Sequence, residues 1–328
     1  MNKSEITFVV QGKVLLKDGV NLTELCVKSI RRFFPESRII LSTDIGEDTL
    51  NLDVDECVYS MQSDKVVIEN DRVGNIMPAN LQIVTTFEGL KRVKTPYAVK
   101  IRSDMVLKND NLLWLMRNRP RRNLINKFKV CEQFVIILNW SAVNPSYYLK
   151  LLHHPSDQLF AGKTSDLLAI WNCPEYPVEY MRWYSNHDYP SGARHGNSLV
   201  KFRCETWIWY NFIKKYSNLD FNNSYDYNPE LLEESQGFIA NNLMIVGSKL
   251  AGVQSLKNPP NTINSKVKMF TYYDWLKLSR TYNNKIKLNI FDWESIYIYF
   301  VRLMLRVIGY PRFVFSEHRK GIGFRNLK

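Results

Sequence analysis

The chain is poor in the features that mark the commonest nucleotide-handling and secreted proteins. Its five cysteines (Cys26, Cys57, Cys131, Cys173 and Cys204) are scattered, with no CxxC pair and no Cys/His cluster. Neither a disulfide framework nor a structural zinc site is favoured, and a reducing cytoplasm is the expected setting. No run of eighteen apolar residues occurs, so no spanning helix is expected. Met1-Asn-Lys-Ser-Glu5 leads into a short apolar stretch without the apolar core or cleavage site of a secretory signal. There is no GxxxxGK[ST], no GxGxxG and no GxSxG, which argues against a P-loop NTPase, a dinucleotide dehydrogenase and an α/β-hydrolase. Nucleic-acid recognition is not expected either. No RNP aromatic block or zinc finger occurs, and the basic residues are dispersed.

What the chain has is 328 residues, 45% of them hydrophobic, enough for a substantial core. Lys and Arg number 44 against 32 Asp and Glu, a formal charge of +12. That excess points to an anionic partner such as nucleotide phosphates or an acidic membrane surface. Ile6–Val10 reads as a buried strand ending at Gln11-Gly12. Thr23–Phe34 reads as an amphipathic helix with Thr23 as N-cap and Pro35 as its stop. Further strands are expected at Arg38–Ser42, Glu56–Tyr59, Tyr97–Ile101 and Gln133–Leu138. Further helices are expected at Leu81–Val93, Ser165–Trp171 and Glu205–Tyr216. Residues 60–76 read as a binding loop, 174–203 as a surface excursion and 253–266 as a linker. This alternation predicts an α/β fold: a Rossmann-like, mostly parallel sheet with flanking helices and an irregular helical C-terminal region. The expected division is 1–252 for nucleotide and acceptor binding and 253–328 for a helical, basic, aromatic region. Trp293–Arg312 carries an aromatic stripe with arginines, which fits either a helix packed on the body or an interfacial helix on anionic lipid.

The chemistry concentrates where the strand Tyr97–Ile101 runs into Arg102-Ser103-Asp104. In open α/β sheets, ligands bind beyond the carboxyl ends of strands. A carboxylate there suits Mg²⁺ or Mn²⁺, and Lys100 or Arg102 supplies positive charge against a diphosphate. The plainer reading makes Asp104 a turn or capping residue. Among carboxylates that could serve as a general base, Asp157, Asp166 and Glu205 are the candidates. Asp157 is preferred because it lies in a loop, whereas Asp166 falls in the first turn of a helix. His153-His154 is the only adjacent histidine pair, and neighbouring side chains diverge, so joint metal binding is not expected. Arg182, Arg194 and Arg203 are further candidates for an anion clamp. The aromatic group Trp171, Tyr176, Tyr180, Trp183 and Tyr184 either stacks on sugar rings or forms a local core.

Val10-Gln-Gly12, Ser29-Ile-Arg-Arg-Phe-Phe-Pro35, Ile40-Leu-Ser-Thr43 and Val93-Lys-Thr-Pro-Tyr-Ala-Val-Lys-Ile-Arg-Ser-Asp104 resemble the WavE-type glycosyltransferases. These are bacterial lipopolysaccharide and capsule synthesis proteins with a GT-A-like fold. His154-Pro-Ser-Asp-Gln-Leu-Phe160, Gly162 and Thr164-Ser-Asp-Leu167 extend the likeness, which covers about the first 215 residues. The resemblance implies that Gln11 and Gly12 meet the nucleotide, that Thr43 and Asp44 lie near the base, and that Asn80 and Gln82 belong to an Asn-Arg-Gln pattern whose Arg is Leu81 here. It puts Arg102-Ser103-Asp104 where a GT-A enzyme carries Asp-x-Asp. Arg102 stands in place of the first acid, so either Asp104 and a second, distant ligand hold Mn²⁺ or Mg²⁺, or no metal is held and Arg102 supplies the charge. The implied activity is inverting transfer of a hexose, galactose among the candidates, from a UDP-linked donor. The acceptor is a lipid-linked or oligosaccharide glycan of lipopolysaccharide, O-antigen or capsule, at the cytoplasmic membrane face. A nucleotide-sugar pyrophosphorylase and a non-catalytic glycan-binding or peripheral membrane component are the alternatives.

Overall fold

A computed structural model describes residues 1–61, 79–121, 126–147, 149–190, 199–257, 266–286 and 290–308. The expected loop at 60–76 therefore lies almost wholly outside the described residues.

Strand β1 (Ile6–Gln11) is buried along its whole length, as a near-continuous apolar run requires in the middle of a sheet. A short ribbon, β2 (Leu16–Lys17) and β3 (Val20–Asn21), leads into helix α1 (Leu22–Phe33). The cap of α1 is Asn21, whose side chain accepts from Glu24 N at 3.0 Å. Thr23, the expected cap, sits inside the first turn, and its hydroxyl accepts from Leu15 N instead. β4 (Arg38–Asp44), β5 (Glu56–Ser60), α2 (Ala79–Lys91) and β6 (Tyr97–Arg102) follow. Then come β7 (Met105–Leu107), α3 (Asn111–Arg117), β8 (Val135–Leu138), β9 (Leu159–Lys163), α4 (Thr164–Trp171), α5 (Trp183–Asn186), α6 (Cys204–Ile213) and α7 (Pro229–Asn242). The described chain ends with β10 (Leu243–Val246), α8 (Ser248–Ala251), β11 (Val253–Ser255), α9 (Tyr272–Tyr282) and α10 (Trp293–Ile308).

Among the described residues, seven strands form the main sheet in the order β10-β8-β9-β6-β1-β4-β5. All its pairings are parallel except those of β9, which runs antiparallel to both neighbours. The mixed α/β, mostly parallel architecture is as expected. Helices cover both faces. Phe8 packs edge-on against Phe34 at the end of α1, while the next residue, Val9, faces α2. Alternation along the strand sends these two side chains to opposite sides.

The chain beyond residue 252 shares this core. β11 pairs antiparallel with β7, and Leu256 N donates to Asp104 O at 2.8 Å. On α9, Trp275 is fully buried and its indole donates to Leu243 O. The stretch expected as a linker thus begins with a paired strand.

The order of strands decides where a ligand can sit. From β1 the chain steps outward to β4 and β5, then returns to add β6 on the other side of β1. The carboxyl ends of β1 and β6 therefore flank a topological switch point, the usual crevice of open α/β sheets. Helix α2 lies so close to the sheet that a Cβ on Gly89 would stand 2.6 Å from Val9 Cγ1 and 2.8 Å from Ser42 Cβ. Alanine is the better helix former by roughly 0.5–1 kcal/mol, but overpacking costs about 1–3 kcal/mol. Gly89→Ala is therefore expected to lower stability by about 1 kcal/mol, read as a reduced urea midpoint. A midpoint equal to or above wild type would contradict this packing.

Candidate functional site

Gln11 and Arg102 are register partners at the ends of β1 and β6. Ser103 N donates to Gln11 O at 2.9 Å, and Ser103 Oγ donates to Lys13 O at 2.7 Å. Gly12 has φ +122°, and a Cβ there would meet Ser103 Oγ at 3.0 Å. A side chain at this position is disfavoured by both the backbone and the space, which keeps the two strand ends together. They open on a cavity of about 170 Å³ lined by Gln11, Gly12, Lys13, Gln82, Arg102–Asp104 and Lys257, among others.

Arg102 dominates this cavity. Its Nε and Nη2 donate to the two carboxylate oxygens of Asp104 at 2.9 and 2.7 Å, a planar two-point fork. Asp104 is almost fully buried and Arg102 is partly open to solvent. The Asp104 carboxylate raises the guanidinium's pKa above its ordinary value against the cost of burial, so Arg102 is a fixed cation.

Period-two alternation puts Lys100 on the same side of β6 as Arg102. Lys100 was expected at the diphosphate. It is instead fully buried, with Nζ donating to Asp157 O at 2.5 Å and standing 4.9 Å from the Trp171 ring centroid. Burial lowers its pKa to about 8, opposed by the Asp157 charge. Lys100 thus supports the Asp157 loop from beneath and does not line the cavity.

The two preferred carboxylates come together. Gln82, which lines the cavity, donates from Nε2 to Asp157 Oδ2 at 2.6 Å, while Asp157 Oδ1 is buried with no hydrogen-bond partner. Glu205, in the first turn of α6, has a pKa raised to about 7, chiefly by burial and then by the Asp157 charge, with Arg203 and Arg102 opposing. Arg102 in turn feels Asp104, Asp157 and Glu205. One cation and three carboxylates therefore form a single electrostatic group at the sheet's carboxyl edge.

Other expected residues do different work. Thr43 and Asp44 end β4. The Thr43 hydroxyl is buried without a partner, and Asp44 Oδ1 accepts from Ile45 N at 3.0 Å. Asp44 Oδ2 also lies 3.8 Å from Lys13 Nζ. Asn80 spends its amide on the backbone of Tyr176, accepting from N and donating to O, so it clamps a loop and is buried. Asp166 accepts from Glu132 N and Gln133 N and joins α4 to the approach of β8. His153 is buried against Tyr210 and Phe221, and His154 Nδ1 contacts Thr206 Oγ1 at 3.0 Å. Tyr176, Tyr180, Trp183 and Trp207 pack on one another as a local core. Arg194 lies outside the described residues.

Lys13 and Lys257 are the two lysines of the cavity wall, and neither stands out in the sequence. Nothing local marks Lys257; only the pairing of β11 with β7 brings it beside Asp104. A larger cavity of about 590 Å³ lies at the opposite, amino end of β6, beside Tyr97, but Arg117 and Arg119 there already donate to backbone carbonyls.

A divalent cation was expected at Asp104. Both its oxygens accept from Arg102, and among the described residues no three His, Cys, Asp or Glu side chains gather as a metal cluster. A cation seated there would face the guanidinium at close range. The donor set does not fit the ion.

These features define a mixed α/β protein with a Rossmann-type crevice at its switch point. The chain belongs to the WavE lipopolysaccharide synthesis family, whose model matches residues 6–310, and it has a role in lipopolysaccharide synthesis. Among solved structures it is similar to 4-diphosphocytidyl-2C-methyl-D-erythritol synthase from Anaerococcus prevotii DSM 20548. The identity is 10%, the TM-score 0.33, and the match covers 71% of this chain and 97% of the other. No curated protein matches the chain.

The raised pKa of Glu205 has a thermodynamic consequence. The folded state holds a proton that the unfolded state releases above the ordinary carboxylate range. Stability therefore declines as pH rises towards and through about 7. Glu205→Gln removes that decline, so its melting temperature relative to wild type is expected to increase between pH 5 and pH 8. Parallel pH profiles for the two proteins would refute the assignment.

Proposed function

We propose that the protein is a glycosyltransferase of lipopolysaccharide synthesis. It moves a hexose from a UDP-linked donor to a lipid-linked or oligosaccharide acceptor with inversion. The observation that carries this reading is the Arg102–Asp104 fork at the switch point, with Lys13 and Lys257 lining the same cavity. Breaking a sugar–diphosphate bond leaves negative charge on the departing phosphate. A fixed guanidinium aimed at that charge stabilises the transition state. Asp104 holds the fork in orientation, so little reorganisation is needed as charge develops.

In this reading the base and ribose lie against Gln11 and Gly12. The acceptor hydroxyl approaches Asp157, which takes its proton as the oxygen bonds to the anomeric carbon and the nucleoside diphosphate leaves. Gln82 holds Asp157 Oδ2 from the cavity wall, and Asp157 Oδ1 is buried behind it without a hydrogen-bond partner. Glu205, whose carboxyl is pushed up to about 7 by burial and by the Asp157 charge, adds a second negative charge beside this base once it ionises.

Release of UDP from UDP-galactose and UDP-glucose, with and without a lipopolysaccharide-derived acceptor, tests the proposal. Arg102→Ala and Asp157→Asn are each expected to reduce kcat by about 10²-fold or more. In the wild type, kcat/KM is expected to rise with pH through about 7, and Glu205→Gln should remove that step while keeping measurable turnover. Chelation by EDTA should leave turnover within about twofold, because Arg102 supplies the charge. Full activity in both Arg102→Ala and Asp157→Asn would reject the reading.

A further inference from the structure

Helix α10 packs inward through Ile298 and Leu305 and through a set of polar anchors. Arg302 is buried, with Nε donating to Val267 O at 3.0 Å, Nη1 to Asp274 Oδ2 at 2.7 Å and Tyr147 OH at 2.9 Å, and its guanidinium over the Tyr147 ring. Glu294 accepts from Lys266 Nζ at 2.6 Å, and Ser295 donates to Asp292. The opposite face is apolar and open. Trp293, Ile296, Phe300, Leu303 and Val307 recur at helical spacing and are all exposed, Trp293 at 72% and Val307 at 77%. No charged residue interrupts that row, while Tyr299 and Arg306 are exposed along one flank. An apolar face of this extent held open by buried polar anchors is built for a partner that is not water.

We infer that this face lies in the surface of an anionic lipid bilayer. No described helix is long and apolar enough to cross a membrane. The helix therefore lies along the interface, with Trp and Tyr at the depth those side chains favour. Charge selects the lipid. Apart from the buried Arg302, the sequence from Trp293 to Lys328 carries Arg306, Arg312, Arg319, Lys320, Arg325 and Lys328 against only Glu294 and Glu317. A basic segment continuous with an exposed apolar face complements phosphatidylglycerol-rich surface and not a neutral one. This inference stands on the helix and does not depend on the transferase reading.

The test is flotation of the full chain with vesicles of phosphatidylethanolamine plus phosphatidylglycerol, and separately with phosphatidylcholine alone. Wild type is expected to float with the anionic vesicles and to be released by high salt. The substitutions Trp293→Glu, Phe300→Glu and Val307→Glu together should reduce the floated fraction about tenfold or more. The triple variant should keep its circular dichroism spectrum and melting temperature, since all three side chains are solvent-facing. A blue shift of tryptophan emission on vesicles that disappears in Trp293→Phe gives an independent readout. Wild type that stays with the soluble fraction overturns the inference. So does a wild-type dimer that the triple substitution converts to monomer with no vesicle binding by either protein, which would make the face a contact between copies. Equal flotation of wild type and triple variant overturns it as well.

Discussion

The fork between Arg102 and Asp104 is the contact on which the site depends. A lone guanidinium at a strand end would sweep through several rotamers. Two parallel hydrogen bonds to a buried carboxylate fix its plane and keep it charged. The same contact occupies the carboxylate that would otherwise be the obvious cation ligand. Arg102 and Asp104 together thus offer an oriented positive charge where an acid pair would offer a metal seat. Lys13 from the β1 loop and Lys257 from the far end of the chain add to that charge around one small cavity.

Beneath the cavity the polar interior is layered. Lys100 carries the Asp157 loop on a hydrogen bond to its backbone, and Gln82 from α2 grips the same residue by its side chain. Glu205 approaches from α6, close enough for the Asp157 charge to push its pKa up. Three elements with no sequence proximity thereby set one carboxylate pair. Buried polar groups of this kind are costly unless satisfied, and Asp157 Oδ1 is the one carboxylate oxygen of this pair known to lack a partner.

Much of the parallel half of the sheet could be read directly, because its strands are apolar runs bounded by turn residues. Ile6–Val10, Arg38–Ser42 and Tyr97–Ile101 match β1, β4 and β6 to within two residues. β9 was not foreseen: Leu159-Phe-Ala-Gly-Lys163 has two small residues and weak strand propensity, and becomes a strand because β6 and β8 pair on both sides of it. The cap at Asn21 was missed because Thr23 satisfies the same pattern, while tertiary contact with Leu15 claims its hydroxyl. At the site, the position of Arg102, Ser103 and Asp104 at a strand's carboxyl end was legible from the sequence, whereas the contact that brings Asp157 to Gln82 joins residues 75 apart. The burial of Lys100, the structural use of Asn80 and the arrival of Lys257 were not legible either, since each depends on elements distant in sequence.

The central claim is that Arg102 meets the phosphates of a nucleotide donor, and calorimetric titration measures this most directly. With UDP and with uridine as paired ligands, wild type is expected to favour UDP strongly, and Arg102→Met is expected to lose most of that preference while uridine binding holds. Retention of the full preference for UDP in Arg102→Met would contradict the account.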